Sequence, residues 1–204
     1  MESVIFQKCS CEYCTHNGGF PILWGLSTGA IWFEIPKNGS SAIKREYSID
    51  WRTGTKPIKD FGPYRNTIPY VILREPTDRF ISLFKHYFLD EGQRVHKGTA
   101  FCEKSNKDIN TMDTNTRLEF LIDSLSELST DEQVHHFYPQ TYCIDAKSFD
   151  GLKLVKLEDL SKTLNVPNYG HIAATDAYDI QLNNEQERYI KTIYEDDYGL
   201  YDKV

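Results

Sequence analysis

Short apolar runs alternate with amphipathic stretches along this chain, and that alternation predicts most of its elements. Ala30 to Ile35 (AIWFEI) is an apolar run closed by Pro36 and reads as a buried strand. The loop Pro36-Lys37-Asn38-Gly39-Ser40-Ser41 follows, and a helix is expected through Ala42 to Tyr47. Residues 48 to 68 are polar and turn-rich. Pro69 to Leu73 (PYVIL) is a second buried strand and ends at Arg74. Pro76 suits a helix start, where its missing N–H costs nothing. Phe80, Ile81, Phe84 and Phe88 recur at helical spacing, which predicts an amphipathic helix over 77–89 with the Phe stripe and Trp32 in the core.

Residues 90 to 114 are polar and carry little pattern, as a functional loop or a disordered one does. Leu118 to Leu128 reads as a helix, Lys153 to Leu157 (KLVKL) as a third strand, and Glu185 to Tyr194 as a terminal helix. The first 28 residues read as irregular, with Asn17-Gly18-Gly19 and Pro21 as turn signals. Strands alternating with helices predict an α/β fold around a mainly parallel sheet.

Composition narrows the class. With 204 residues, no internal repeat and no Pro/Gly-rich linker, the chain is expected to form one domain over 1–204. It is 40% hydrophobic, 26% charged and 13% aromatic, as ordinary globular proteins are. A formal charge of −7 argues against nucleic acid as a partner, since such binders carry a basic footprint. No run reaches the ~18 to 20 apolar residues of a membrane span. The N-terminal MESVIFQKCSCEYC lacks a signal-peptide core, so the expected compartment is the cytoplasm. If the chain comes from a larger secretory-pathway enzyme, its anchor has been cut away. Five cysteines exclude a complete intramolecular disulfide framework. Cys9, Cys11, Cys14 and His16 have the donors of a zinc site, but all four fall in one short stretch, which also fits plain reduced thiols.

Two segments carry chemistry. In Pro36 to Ser41, a glycine and two small hydroxyl residues at a strand–helix junction let backbone N–H groups approach an anion, with Lys37 as a mobile charge. The loop is not a Walker A motif, because Lys37 precedes the glycine by two residues. An ordinary strand–helix turn with an exposed lysine is the plainer alternative. The second segment is Arg74-Glu75-Pro76-Thr77-Asp78-Arg79-Phe80-Ile81-Ser82. It puts Arg74 at the C-terminal end of a strand, the edge where open α/β sheets bind ligands. Arg79 and Ser82 share a helical face. The plainer alternative here is a surface ion pair of Arg79 with Glu75 or Asp78.

As a pair, the segments resemble the cofactor motifs of sulfotransferases that use 3′-phosphoadenosine 5′-phosphosulfate (PAPS). The first is similar to that family's 5′-phosphosulfate loop. The second is similar to its 3′-phosphate motif, with Glu75 in place of the usual aspartate. His136-Phe137-Tyr138-Pro139-Gln140 with Cys143, Phe149-Asp150 leading into Leu157-Glu158-Asp159-Leu160, and Tyr194-x-x-Asp197-Tyr198 follow the order of the carbohydrate (Golgi-type) branch. The resemblance runs from about Trp32 to Tyr201.

What the resemblance implies is specific. The fold is the P-loop-like sulfotransferase fold, and the reaction moves a sulfuryl group from PAPS to a hydroxyl, with a glycan as the expected acceptor. Within the cofactor-binding loop Pro36 to Ser41, Lys37 contacts the phosphosulfate and neutralises charge on the bridging oxygen, and the backbone of Asn38 to Ser41 cradles the 5′-phosphate. Arg74 and Ser82 hold the 3′-phosphate, with Arg79 in the same motif. No metal is required, because cations and dipoles do the work of magnesium. The general base lies among His136, Glu46 and Asp50, with His136 favoured because it titrates near neutrality. A P-loop-type phosphotransferase and an inactive nucleotide-binding protein are the alternatives.

Overall fold

The computed structural model describes residues 22–49, 66–89, 108, 111–125, 136–144, 152–166 and 178–204. The apolar runs form the sheet. Strands β1 (Ile22–Gly25), β2 (Ile31–Glu34), β3 (Tyr70–Leu73) and β4 (Lys153–Lys156) lie side by side in that order. β2, β3 and β4 are parallel to one another, and β1 is antiparallel to β2. The chain is therefore a mixed α/β structure on a mostly parallel sheet.

β1 corrects the expectation of an irregular first 28 residues. A tight reversal makes it: Leu26 and Ala30 close the loop with a 2.8 Å backbone hydrogen bond, and Gly29 sits at φ 82. Glycine takes that left-handed conformation without steric cost. Four residues beside turn-forming Ser, Thr and Gly give too short a pattern to read as a strand.

Alternation along the strands divides the core into two faces. Trp24, Trp32, Ile72 and Val155 pack on one side of the sheet with Ile43 of helix α1 (Ser40–Glu46). Leu160 and Leu164 of helix α5 (Leu160–Leu164) join them. Phe33, Val71 and Leu73 pack on the opposite side, against Leu200 and Tyr201 of helix α7 (Glu195–Tyr201). A third cluster joins α2 (Pro76–Phe84), α3 (Thr114–Ser124) and α6 (Asn184–Ile193) around Phe80, Phe84, Phe88, Leu121 and Ile190. The Phe stripe and Trp32 are buried there and in the sheet core, as their spacing predicts.

The helix boundaries follow local chemistry. α2 begins at Pro76 and is capped by Glu75, whose carboxylate accepts from the Asp78 N–H at 2.6 Å. It runs on into a π-helical turn over Lys85–Leu89, so the predicted stretch is helical with its last turn widened. α3 starts earlier than the apolar pattern suggests, because Asp113 caps it by accepting from Thr116 N at 2.8 Å. α6 opens with a reciprocal capping box between Asn183 and Gln186. Three further helices among the described residues fall where the sequence pattern marks none: α4 (Gln140–Cys143), which is a single turn, α5, and α7, which follows α6 and makes the helix expected to be terminal the last but one.

Candidate functional site

Two connections leave the sheet at the same edge. β2 and β3 are parallel neighbours, so the loop after β2 and the segment after β3 emerge together at the strands' C-terminal ends. The first loop has an unusual backbone. Lys37 (φ 68) and Gly39 (φ 77) both lie in the left-handed region, separated by Asn38. Lysine disfavours that conformation, so the fold around it must impose it.

Gly39 is required there twice over. Its φ suits glycine, and a Cβ at this position would stand 2.8 Å from Leu157 Cδ1 and 3.2 Å from Leu160 Cδ2. The Leu157-Glu158-Asp159-Leu160 segment thus lies against the loop, and a Cβ there would force the Leu157 methyl to shift. α1 then begins at Ser40 with Gly39 as its cap residue and no side-chain cap. Ser40 turns its hydroxyl back to the Ile35 carbonyl at 3.1 Å, and Ser41 is exposed.

The second connection meets the first. Arg74 is half-buried and its Nη1 donates to the Lys37 carbonyl at 3.4 Å. Burial lowers its pKa from the ordinary arginine value, although nearby Asp78 works in the opposite direction. A guanidinium starts so high that it stays charged.

Asn38 points inward, with its Nδ2 donating to the Ile72 carbonyl at 2.7 Å and to Gln140 Oε1 at 2.5 Å. Its own N–H donates to the Ile35 carbonyl at 3.3 Å, so Asn38 shapes the loop from within. Lys44, one turn into α1, pairs with the buried Glu34 at 2.6 Å, and Trp24 Nε1 donates to the other Glu34 oxygen at 2.6 Å. Glu34 thus balances Lys44, and the cations that the two connections bring to this edge are Lys37 and Arg74.

Arg79 departs from its predicted place. It is 1% exposed, and its guanidinium bonds three backbone carbonyls: Pro36 at 3.2 Å, Tyr138 at 2.9 Å and His136 at 2.8 Å. It is turned away from the surface role with Glu75 or Asp78, and equally from direct contact with a ligand. It fastens the first loop to residues 136–138. Ser82 lies half-buried one turn further along α2.

Of the two candidate bases among the described residues, His136 and Glu46, the structure brings His136 to this region. His136 is half-buried beside the loop, its carbonyl on the same guanidinium as that of Pro36, and its ring stands edge-on to Tyr87 with centroids 5.4 Å apart. Glu46 is exposed at the opposite end of α1, about 9 Å along the helix axis from Ser40. Asp50 lies outside the described residues, as do Phe149-Asp150 and the Cys9, Cys11, Cys14 and His16 cluster. Among the described residues, no group of three or more His, Cys, Asp or Glu side chains is placed to hold a metal, and no helix is long and apolar enough to cross a membrane.

The inward role of Gln140 and of the Asn38 amide has no counterpart in the sequence pattern. Gln140 falls in the family-like segment, but nothing in a linear sequence says that its amide faces the Arg74 backbone across 66 positions. Comparison with protein-family models, with curated proteins and with solved structures finds no match.

Proposed function

We propose that this chain is a sulfotransferase of the PAPS-dependent kind, with the P-loop-like fold of those enzymes, and that it sulfates a hydroxyl of a glycan. One observation carries the reading: the Lys37–Gly39 loop and Arg74 stand side by side at the C-terminal edge of parallel strands, joined through the Lys37 carbonyl. Two cationic units in contact suit a ligand with two separated anionic groups, as PAPS has at its 5′ and 3′ positions. The left-handed Lys37 adds support, because strain kept at a lysine suggests that its ammonium is needed there.

PAPS supplies an activated sulfuryl group. The sulfur–oxygen bond to its 5′-phosphate breaks as a new one forms to the acceptor oxygen. Lys37 stabilises the negative charge that develops on the phosphate oxygen left behind. The N–H groups of the uncapped first turn of α1 receive the 5′-phosphate, and Arg74, with Ser82, receives the 3′-phosphate. His136 takes the acceptor proton, since its backbone is tied to the first loop through Arg79. Arg79 keeps the loop in shape from beneath. Positioning and fixed charge do most of the work in chemistry of this kind.

A thermal-shift comparison tests the reading. 3′-Phosphoadenosine 5′-phosphate is expected to stabilise the protein well beyond the effect of ATP with magnesium. Equal shifts point to a phosphotransferase-like site and no shift with the bisphosphate rejects a PAPS site. Bisphosphate binding without turnover of PAPS on any hydroxyl acceptor would mark an inactive nucleotide-binding protein. Radiolabelled PAPS offered to glycans, lipids and phenols identifies the acceptor class, and His136→Ala should remove turnover while leaving bisphosphate binding nearly intact.

A further inference from the structure

A buried carboxylate from the C-terminal helix reaches both halves of this site through one glutamine. Asp197 of α7 is 1% exposed. Its Oδ2 accepts from the Gln140 N–H at 2.6 Å, and its Oδ1 accepts from the Thr141 N–H at 2.8 Å and the Thr141 hydroxyl at 2.9 Å. These are the opening N–H groups of α4, whose own cap residue is Pro139 and gives no side-chain cap. A single helical turn does not persist alone, because nucleation fixes several residues for one hydrogen bond. Asp197 supplies the missing cap from another element.

Gln140, fixed in this way, is fully buried and turns its amide to the site. Oε1 accepts from the Arg74 N–H at 2.9 Å and from Asn38 Nδ2 at 2.5 Å, while Nε2 donates to the Arg74 carbonyl at 2.8 Å. The two bonds to Arg74 hold its backbone on both sides. The bond to Asn38 holds the residue between the two left-handed positions. A second tie from the same region, the Tyr194 hydroxyl to the Phe137 carbonyl at 2.7 Å, anchors the approach to α4.

We propose that Asp197 and Gln140 are positioning residues that hold the Lys37–Gly39 loop and Arg74 in one fixed relation. The ligand so served rests on the sulfotransferase reading, whereas the geometry belongs to the free protein. A mere stability role predicts a lower melting temperature with the loops unaltered. Positioning predicts a change at the loops while the fold persists.

Two readouts on Asp197→Asn separate these, taken well below its melting temperature. In the ligand-free protein, hydrogen exchange over residues 36–41 and at Arg74 is expected to quicken, with β1 unchanged. In calorimetry, affinity for 3′-phosphoadenosine 5′-phosphate is expected to fall about tenfold, the effect of losing roughly one hydrogen bond's worth of alignment. Should Asp197→Asn not fold, Gln140→Leu carries both measurements. Unchanged exchange at both segments overturns the positioning role, as does unchanged affinity in a variant of a wild type that binds. A wild type that does not bind the bisphosphate counts against the sulfotransferase reading, and the exchange arm then judges the positioning role by itself.

Discussion

The Arg79 Nε donates to the Pro36 carbonyl at 3.2 Å, so the charged group of α2 grips the backbone of the first loop from beneath. The same planar fork holds the carbonyls of Tyr138 and His136. Two segments far apart in sequence, the first loop and residues 136–138, thus converge on one guanidinium. Arginine suits this task because its donors are fixed in a plane and its charge is permanent.

Replacing Arg79 by lysine keeps the charge but collapses the fork to one point. The three carbonyls then cannot all be reached, and buried acceptors lose their donors. Arg79→Lys is expected to lower unfolding free energy by about 2–4 kcal/mol in urea titration. A loss below about 0.5 kcal/mol, the scale of an ordinary surface change, would refute the clamp.

Lys37 sets backbone comfort against side-chain chemistry. Lys37→Gly removes the steric cost of φ 68, and stability should hold or rise by about 1 kcal/mol. The proposed sulfuryl transfer should vanish in the same variant, as in Lys37→Ala. Full turnover without the ammonium contradicts the role given to the loop.

Gly39→Ala combines two penalties. The left-handed conformation alone costs about 1–2 kcal/mol for a residue with a Cβ. Contact with Leu157 adds to it. In a Leu157→Ala background the second penalty should shrink while the first remains, which a double-mutant cycle measures directly. Strict additivity would show that Leu157 does not crowd the glycine.

Tyr198 gives a prediction in pH. Its hydroxyl shares a hydrogen bond with Thr77 of α2, and burial pushes its pKa up to about 12. The folded state therefore prefers the neutral phenol. That preference stabilises the fold fully below about pH 10, the unfolded value, and is lost as pH rises through about 12. Melting temperature should fall more steeply between pH 10 and 12 in the wild type than in Tyr198→Phe. Parallel curves would mean that the phenol ionises alike in both states.

Much of the framework is legible in the order of apolar and polar residues. The runs at 30–35 and 69–73 form β2 and β3, because a strand covered on both faces leaves a near-continuous apolar mark, and 153–157 forms β4 at the end of the described sheet, with Val155 buried between lysines. The Phe80, Phe84 and Phe88 stripe forms the core face of α2 and its extension for the same reason. β1 leaves no such mark, because four residues and a tight turn carry little periodicity. α4 leaves none either, because the cap that starts it comes from Asp197, 56 positions away.

The sequence by itself determined β2, β3, β4 and the helix of the Phe stripe, and that the residue types for holding anions stand at the ends of two of the strands. Local patterns suffice for this, since burial period and turn chemistry act within a few residues. Only the tertiary structure decided which of those residues face outward. Arg79, on the same motif as Arg74, is turned inward onto three carbonyls, while Asn38 and Gln140 join the two connections from behind. Those assignments depend on partners dozens of positions away, brought together by the parallel pairing of β2 with β3 and by the docking of α7, and no local pattern encodes them.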